Sequence, residues 1–230
     1  MSEDKVIAIN LNPFVFFEAS DFGPGKSQEL TCQDVLNYLA NNNEVIPVAK
    51  IKQNYQTIGK KAASFVGLPA EAKILNKLVF PLKHAIGYYI MGHYLESIAL
   101  CGFVAEMATI FKFQIHGVSF LEKPIVTEAD EKANIDDVEW RKHNERIRKL
   151  LKDGKIDAAL ACKLDFVSKK RNRYLHSISV DDTNINEVAR SVIDNTIDIL
   201  RGIFNLRVGE GKILIDQKVL DYLDKKGLSG

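Results

Sequence analysis

An arginine, an asparagine and a histidine lie within six residues of one another in the stretch KKRNRYLHS, which begins at Lys169. On a helix, Asn172 and His176 would be one turn apart and would share a face. Arg171 falls within the apolar stripe of the same helix, but its long stem can bring the guanidinium round to the neighbouring face. The spacing therefore predicts a permanent cation, an amide and an imidazole close together at the edge of the core.

This set of side chains suits the cleavage of RNA, which carries its own nucleophile, the 2′-hydroxyl, beside the scissile phosphate. An enzyme must remove the hydroxyl proton, protonate the leaving 5′-oxygen and stabilise the charge on the phosphorane. Histidine, whose ordinary pKa is near ~6.5, can carry out either proton transfer. A guanidinium binds phosphoryl oxygens with a fixed charge, and an asparagine can orient the imidazole or bind phosphate. This chemistry requires neither a metal nor another cofactor, and we expect none.

The charge distribution also favours an anionic ligand. The chain has 230 residues and a net charge of +1, yet residues 139–176 hold 12 Lys or Arg against 5 Asp or Glu. A local balance of +7 makes this region a candidate anion-binding surface. The hydrophobic fraction of 46% and the charged fraction of 27% are those of a soluble globular protein rather than a disordered one.

The cysteines and the apolar segments predict a cytoplasmic protein without a membrane partner. The three cysteines lack CxxC or metal-like spacing, which favours a reduced setting: Cys32, Cys101 and Cys162. The start, MSEDKVIAIN, is not typical of a signal peptide. The most apolar window, residues 86–113, predicts a buried helix rather than a membrane span, because it contains four ionisable side chains: His93, Glu96, Glu106 and Lys112.

The elements that would position the motif are mainly helical, in three segments. Residues 1–68 are an N-terminal extension, in which a strand or two around 6–17 and a helix starting near Thr31 are predicted. Residues 69–205 form a bundle of four to five long helices. Residues 206–230 are a tail, in which a hairpin at its Gly-Glu-Gly turn and a short helix are predicted. Minor β structure is thus expected near both termini of a mainly α protein.

Within residues 69–205 the pattern predicts a helix that opens at Pro69 and is kinked near Pro81, then one long helix from about Leu82 to Phe113. Residues 114–135 are predicted to be a connecting insertion. Three more helices are predicted: one from Asp136 or Asp137 to Gly154, one from Asp157 to about Ser179 that carries the motif, and one with a capping box formed by Asn184 and Glu187.

The residues R-N-R-Y-L-H, 171–176, on the penultimate core helix resemble the signature of the HEPN family of helical nucleotide-binding proteins and ribonucleases. The stretch KIDAALACKLDFVSKKRNRYLHS looks like the family's motif helix. HYLESIALCGFVAEMATIF resembles its long early helix, in which Glu106 best matches an acidic position and Glu96 is the alternative. The resemblance covers roughly residues 70–205.

The resemblance implies a homodimeric bundle in which the motif helices of two protomers face a shared cleft. Many members are metal-independent endoribonucleases that act as toxins of toxin–antitoxin pairs or in antiviral defence. By position, the catalytic residues are Arg171, Asn172 and His176, with Glu106 in support. RNA-backbone contacts fall on Lys169, Lys170 and Arg173. The expected partners are RNA, a second copy of the chain and an antitoxin or regulatory protein.

Three alternatives stay open at this point. The chain could be a non-catalytic HEPN module that binds RNA, nucleotide or a partner protein. It could be a purely structural adaptor with Arg171 in an internal salt bridge, or the lysines could be an ordinary solvated face. Tyr174 is better explained by packing than by chemistry. His93 and Glu96, one turn apart, could be metal ligands, but a plain polar pair is the simpler interpretation.

Overall fold

The computed structural model describes residues 6–10, 47–62, 65–69, 74–120, 127–176, 183–204, 207–209, 212–214 and 216–225. As predicted, the protein is mainly helical. The helices are α1 (Val48–Ala62), α2 (Phe80–Ile90), α3 (Tyr94–His116), α4 (Glu128–Trp140), α5 (His143–Lys152), α6 (Ala158–His176), α7 (Ile185–Ile203) and α8 (Gln217–Lys225). Short strands are β1 (Val6–Asn10), β2 (Phe65–Pro69), β3 (Arg207–Gly209) and β4 (Lys212–Leu214).

Helix α3 lies at the centre of the bundle and packs against α2, α5, α6 and α7. It runs parallel to α7, because Cys101 hydrogen-bonds Thr196 and, further along both helices, the rings of Phe111 and Phe204 lie 5.5 Å apart. Helix α6 runs antiparallel to α7, since Lys163 Nζ donates to Asp198 Oδ2 at 2.8 Å and Leu160 packs on Gly202. The motif helix α6 is therefore also antiparallel to α3.

Two helices stand where one long apolar helix is predicted from Leu82 to Phe113. Gly92, with φ 84°, adopts the left-handed conformation between α2 and α3, and a residue with a Cβ would be strained there. The prediction was wrong because the surrounding residues are apolar on both sides of this glycine. By length and composition α3 could cross a membrane, but half of its most apolar window is buried inside the bundle, and core helices commonly share that composition.

The two prolines at the start of the bundle have different roles from each other. Pro69 ends β2, where it pairs with Val6 of β1, so the prediction that it opens a helix was wrong. Pro81 lies in the first turn of α2, and the preceding turn, Leu75–Val79, is π-helical. Proline cannot donate a hydrogen bond to the preceding turn, which accounts for the irregular backbone near position 81.

The predicted helix from Asp136 or Asp137 to Gly154 is also two helices. Helix α4 begins earlier, because Thr127 forms a capping box: its hydroxyl accepts from Asp130 N at 3.2 Å, and Asp130 Oδ2 accepts from Thr127 N at 2.9 Å. It therefore occupies part of the predicted insertion. Arg141 then adopts an extended conformation, φ −69° and ψ 148°, which separates α4 from α5.

Helices α6 and α7 begin close to their predicted positions. Asp157 Oδ1 accepts a hydrogen bond from Leu160 N at 2.7 Å at the start of α6. Asn184 is the N-cap of α7, but its side chain makes no capping hydrogen bond, so the predicted capping box was wrong. Residues 177–179 and the helix predicted near Thr31 lie outside the described residues.

The peripheral elements pack on the bundle. Asn54 of α1 is buried and its Nδ2 donates to the carbonyl oxygens of Tyr89 at 3.1 Å and Ile90 at 3.2 Å, which end α2. Tyr222 of α8 donates to Gln114 Oε1 of α3 at 3.2 Å. β1 pairs with β2, and β3 with β4, both antiparallel. Helices from each of the three predicted segments thus share one hydrophobic core.

Candidate functional site

The side chain of Arg171 lies directly on the backbone of α3. A Cβ built on Gly102 would lie 2.5 Å from Arg171 Cδ and 2.7 Å from its Cγ, distances that no real Cβ tolerates. The hydrocarbon stem of the arginine therefore occupies the place that an apolar side chain would take at this position of the stripe. This contact explains how a cation can sit in the apolar face of α6, and it depends on a glycine in α3.

The guanidinium of Arg171 meets a carboxylate one turn further along α3. Arg171 Nη1 lies 3.6 Å from Glu106 Oε2, while the other carboxylate oxygen, Oε1, lies 3.5 Å from Arg146 Nη2 of α5. One negative charge thus stands between two positive charges, and the group of three keeps a net charge of +1. Arg171 remains 31% exposed, so its surplus charge can attract an anion from solvent.

Arg146 holds this carboxylate from the buried side. Its side chain is only 3% exposed, and its Nη1 donates to the carbonyl oxygens that end α4, those of Val138 at 3.0 Å, Glu139 at 3.2 Å and Arg141 at 2.8 Å. Burial lowers the pKa of Arg146, and the neighbouring Glu106 opposes that shift. Arg146 therefore ties α4, α5 and α3 together and fixes the carboxylate against which Arg171 rests.

His143, at the start of α5, is a second buried polar group beside the cluster. Its Nδ1 lies 3.3 Å from Thr109 Oγ1, and that hydroxyl donates to Glu106 O at 2.7 Å. Because the hydroxyl proton is used in that bond, the hydroxyl oxygen can accept a hydrogen bond from a protonated Nδ1. Burial, reinforced by the charges of Arg146 and Arg171, lowers the pKa of His143 to about 4. The ring is therefore neutral near pH 7.

The sequence patterns singled out neither Arg146 nor His143. A signal for both was present, since the buried positions of α5 are His143, Arg146, Ile147 and Leu150. These four follow helical spacing, so two polar residues occupy an apolar stripe. That is the same irregularity that singles out Arg171 in α6.

The other two motif residues face solvent. Asn172 and His176 are exposed, and His176 is the last residue of α6. At roughly 100° per residue, Arg171 and His176 leave α6 in directions about 140° apart. Tyr174 packs against the hydrophobic core. A single chain thus presents an anchored cation on one side of the helix end and an accessible imidazole and amide on another.

The cations around the motif differ in their surroundings. Lys169 forms an ion pair with Asp165 at 2.6 Å, so its charge is partly neutralised. The Nζ of Lys170 lies 5.5 Å from the centre of the Phe166 ring, and Arg173 is exposed. Lys169 and Arg173 are therefore the two exposed members of the three predicted RNA-backbone contacts, and Lys170 is partly buried.

The two candidate acids of α3 are now distinguished by position. Glu106 contacts Arg171, whereas Glu96 lies near the start of α3 with its Oε1 4.0 Å from His93 Nδ1. Across the described part of the chain, no three His, Cys, Asp or Glu side chains are grouped so that they could hold a metal ion. The acidic position of the predicted site is therefore best filled by Glu106.

No family model, no curated protein and no solved structure matches this chain. Function must therefore be argued from the residues and the geometry of the site.

Proposed function

We propose that the chain is a metal-independent endoribonuclease of the HEPN type that works as a homodimer. Arg171 stabilises the phosphorane, His176 acts as general acid or base, and Asn172 orients the imidazole or binds phosphate. Glu106 positions Arg171. The single observation that carries the proposal is an arginine set on Gly102 and paired with Glu106, on the same helix end as an exposed asparagine and histidine.

The cluster suits a phosphoryl group because it is preorganised and keeps a positive charge. Glu106 divides its two oxygens between Arg146 and Arg171, at distances too long for strong hydrogen bonds. Arg171 can therefore turn its donors toward an arriving phosphate without leaving Glu106 unpaired, because Arg146 still neutralises the carboxylate. A cation already in place when charge develops needs little reorganisation in the transition state.

A homodimer supplies what one chain lacks. Cleavage by the 2′-hydroxyl needs both a base and an acid, and one motif offers one exposed imidazole. Two motif helices facing each other would bring two copies of His176 to one scissile phosphate. Sedimentation of the purified chain should therefore show a dimer at concentrations where it cleaves RNA.

The test is cleavage of RNA in EDTA by the wild-type chain and by His176→Ala. We expect products that end in a 2′,3′-cyclic phosphate and a 5′-hydroxyl, and a loss of about 10²–10⁴-fold in the variant, the usual contribution of a general acid or base. Gln217→Ala removes an exposed polar side chain from α8 and serves as the control. Equal cleavage by wild type and His176→Ala would overturn the catalytic assignment.

The ion pair between Arg171 and Glu106 also favours a second candidate, a non-catalytic module that binds RNA, nucleotide or a partner protein. A guanidinium committed to an internal carboxylate can act through charge and packing alone. In that case the chain binds RNA with a steep salt dependence but leaves it intact. A role in a toxin–antitoxin pair or in antiviral defence would follow from ribonuclease activity, and growth arrest on expression that depends on His176 is the measurement for it.

A further inference from the structure

The solvent-facing side of α2 carries a row of rings. Phe80 is 43% exposed and Tyr88 is 42% exposed, which is high for aromatic side chains, and His84 lies halfway between them and is exposed too. Residues four apart on a helix share a face, so the three rings form one row along α2. This aromatic row, Phe80, His84 and Tyr88, plays no part in the site on α6.

The rings of the aromatic row are spaced regularly along the helix. Each step of four residues advances roughly 6 Å along a helix. Successive rings can therefore meet different unpaired bases of one strand, because stacking on an aromatic side chain tolerates every base.

The charge along α2 itself suits an anionic ligand. Between Ile74 and Leu95 the sequence contains no Asp or Glu, while Lys77 and Lys83 supply positive charge. Lys77 is exposed and Lys83 is partly buried. The next acid, Glu96, is 4.0 Å from His93, and the His93 ring lies edge-on to Tyr88 with centroids 5.9 Å apart. That contact holds the ring at the end of the row in place.

We propose that the aromatic row is a stacking site for unpaired bases of single-stranded RNA. The choice of RNA rests on the proposed function. Helices α2 and α6 each pack against both α3 and α7, which places them on opposite sides of that pair. The row is therefore separate from His176, and it sets the affinity for single-stranded substrate rather than the rate of the chemical step.

The experiment measures binding of a labelled single-stranded RNA by fluorescence anisotropy, with the full chain carrying His176→Ala so that the RNA stays intact. Each of Phe80→Leu and Tyr88→Leu keeps apolar bulk but removes a ring. We expect Kd to rise about 5- to 100-fold for each, since stacking contributes about 1–3 kcal/mol per base and 1.4 kcal/mol is tenfold. Leu151→Ala, at an equally exposed position (41%) on α5, is the matched control and should bind as before.

Two further RNAs separate stacking from charge. A duplex and a strand of abasic residues keep the phosphates but offer no free bases, so neither should respond to the ring variants. The inference is overturned if the chain with both Phe80→Leu and Tyr88→Leu binds single-stranded RNA with unchanged affinity. The same holds if its affinity for the abasic strand falls by the same factor as its affinity for ordinary single-stranded RNA. It is also overturned if the variants change the sedimentation of the chain but not RNA affinity, because the row would then join two copies of the protein.

Failure of the proposed function gives a different result. A chain that binds single strands through the aromatic row but never cleaves them in EDTA retains this inference and loses the ribonuclease assignment. Cleavage that depends on His176, with KM unchanged by Phe80→Leu and Tyr88→Leu, supports the ribonuclease assignment and overturns the stacking site.

Discussion

Arg171 of α6 lies so close to Gly102 of α3 that a Cβ at position 102 would be 2.5 Å from Arg171 Cδ. We therefore predict that Gly102→Ala displaces the arginine from Glu106. A misplacement of about 1 Å can cost 10²-fold in rate, so RNA cleavage should fall about 10- to 100-fold. Thermal melting should show a smaller effect, because about 1–3 kcal/mol of overpacking is partly offset by the higher helix propensity of alanine.

Gly59→Ala is the control for this substitution. A Cβ at Gly59 of α1 meets nothing closer than Tyr55 Cε1 at 3.9 Å, an ordinary contact. Its melting temperature should stay the same or rise, and its activity should not change. If Gly102→Ala cleaves RNA as the wild type does, the close approach has no bearing on the site.

Arg171→Met should separate catalysis from folding. Methionine keeps an unbranched stem against Gly102 but has no guanidinium, and Arg146 still neutralises Glu106. We expect cleavage to fall by at least about 10²-fold, as when a transition-state donor is removed, with a loss in unfolding free energy below about 1 kcal/mol. Arg190→Met, at an exposed arginine of α7, is the matched control.

The opposite result would support the structural-adaptor alternative. If Arg171→Met strongly lowers the free energy of unfolding in urea and leaves RNA binding and cleavage as they were, the arginine is a packing and ion-pair residue only.

Glu106→Gln should destabilise the fold through Arg146. That guanidinium is 3% exposed, and without the carboxylate its charge stays buried with only backbone carbonyls to receive it. Removing one partner of a fully buried pair costs about 3–5 kcal/mol, and because Glu106 is itself partly exposed we expect about 1–3 kcal/mol in urea unfolding. Glu96→Gln, which loses only the 4.0 Å contact with His93, should change stability little. Equal stabilities of the two variants would contradict this role of Glu106.

His143 should make the fold less stable as the pH falls below neutrality. Its pKa is about 4 in the folded chain, because of burial and the nearby charges of Arg146 and Arg171, against 6.5 in an unfolded chain. The unfolded state therefore binds more protons than the folded state between pH 6.5 and 4. The contribution of neutral His143 to the free energy of unfolding is fully present above pH 6.5 and is lost as the pH approaches 4. At 1.36 kcal/mol per pKa unit, the loss could reach about 3 kcal/mol.

Urea unfolding of the wild type and His143→Gln across pH 4–7 measures this slope. The variant should lose a large part of the pH dependence in that window. A residual slope of the same sign is expected from His116, whose pKa is also lowered to about 4 by burial and by neighbouring lysines, and which the variant retains. Parallel curves for wild type and variant would show that His143 does not titrate as described.

The sequence predicted those features of the site that lie within the single helix α6. The order of Arg171, Asn172 and His176 fixes their directions around α6, since helical geometry is local. The exposure of His176 and the outward face of Asn172 follow from the same periodicity. The position of Arg171 in the apolar stripe of α6 also follows from this periodicity.

Helix boundaries were harder to predict from the sequence, because a single residue can end or begin a helix within a stretch whose hydropathy pattern is continuous. Gly92 divides an otherwise continuous apolar stretch, and the Thr127 capping box starts α4 inside a segment without sustained periodicity. Hydropathy averages over a window and does not register one left-handed residue or one reciprocal pair of hydrogen bonds.

By itself, the sequence determined that the protein is mainly helical and that one helix end presents a guanidinium, an amide and an imidazole, because these depend on residue type and helical period alone. Only the tertiary structure decided that Gly102 receives the stem of Arg171 and that Glu106, not Glu96, meets its charge. Only the tertiary structure placed the buried Arg146 against the same carboxylate of Glu106. These contacts join residues of α3, α5 and α6 that are 40 to 69 positions apart along the chain, and no local pattern encodes which helices pack together.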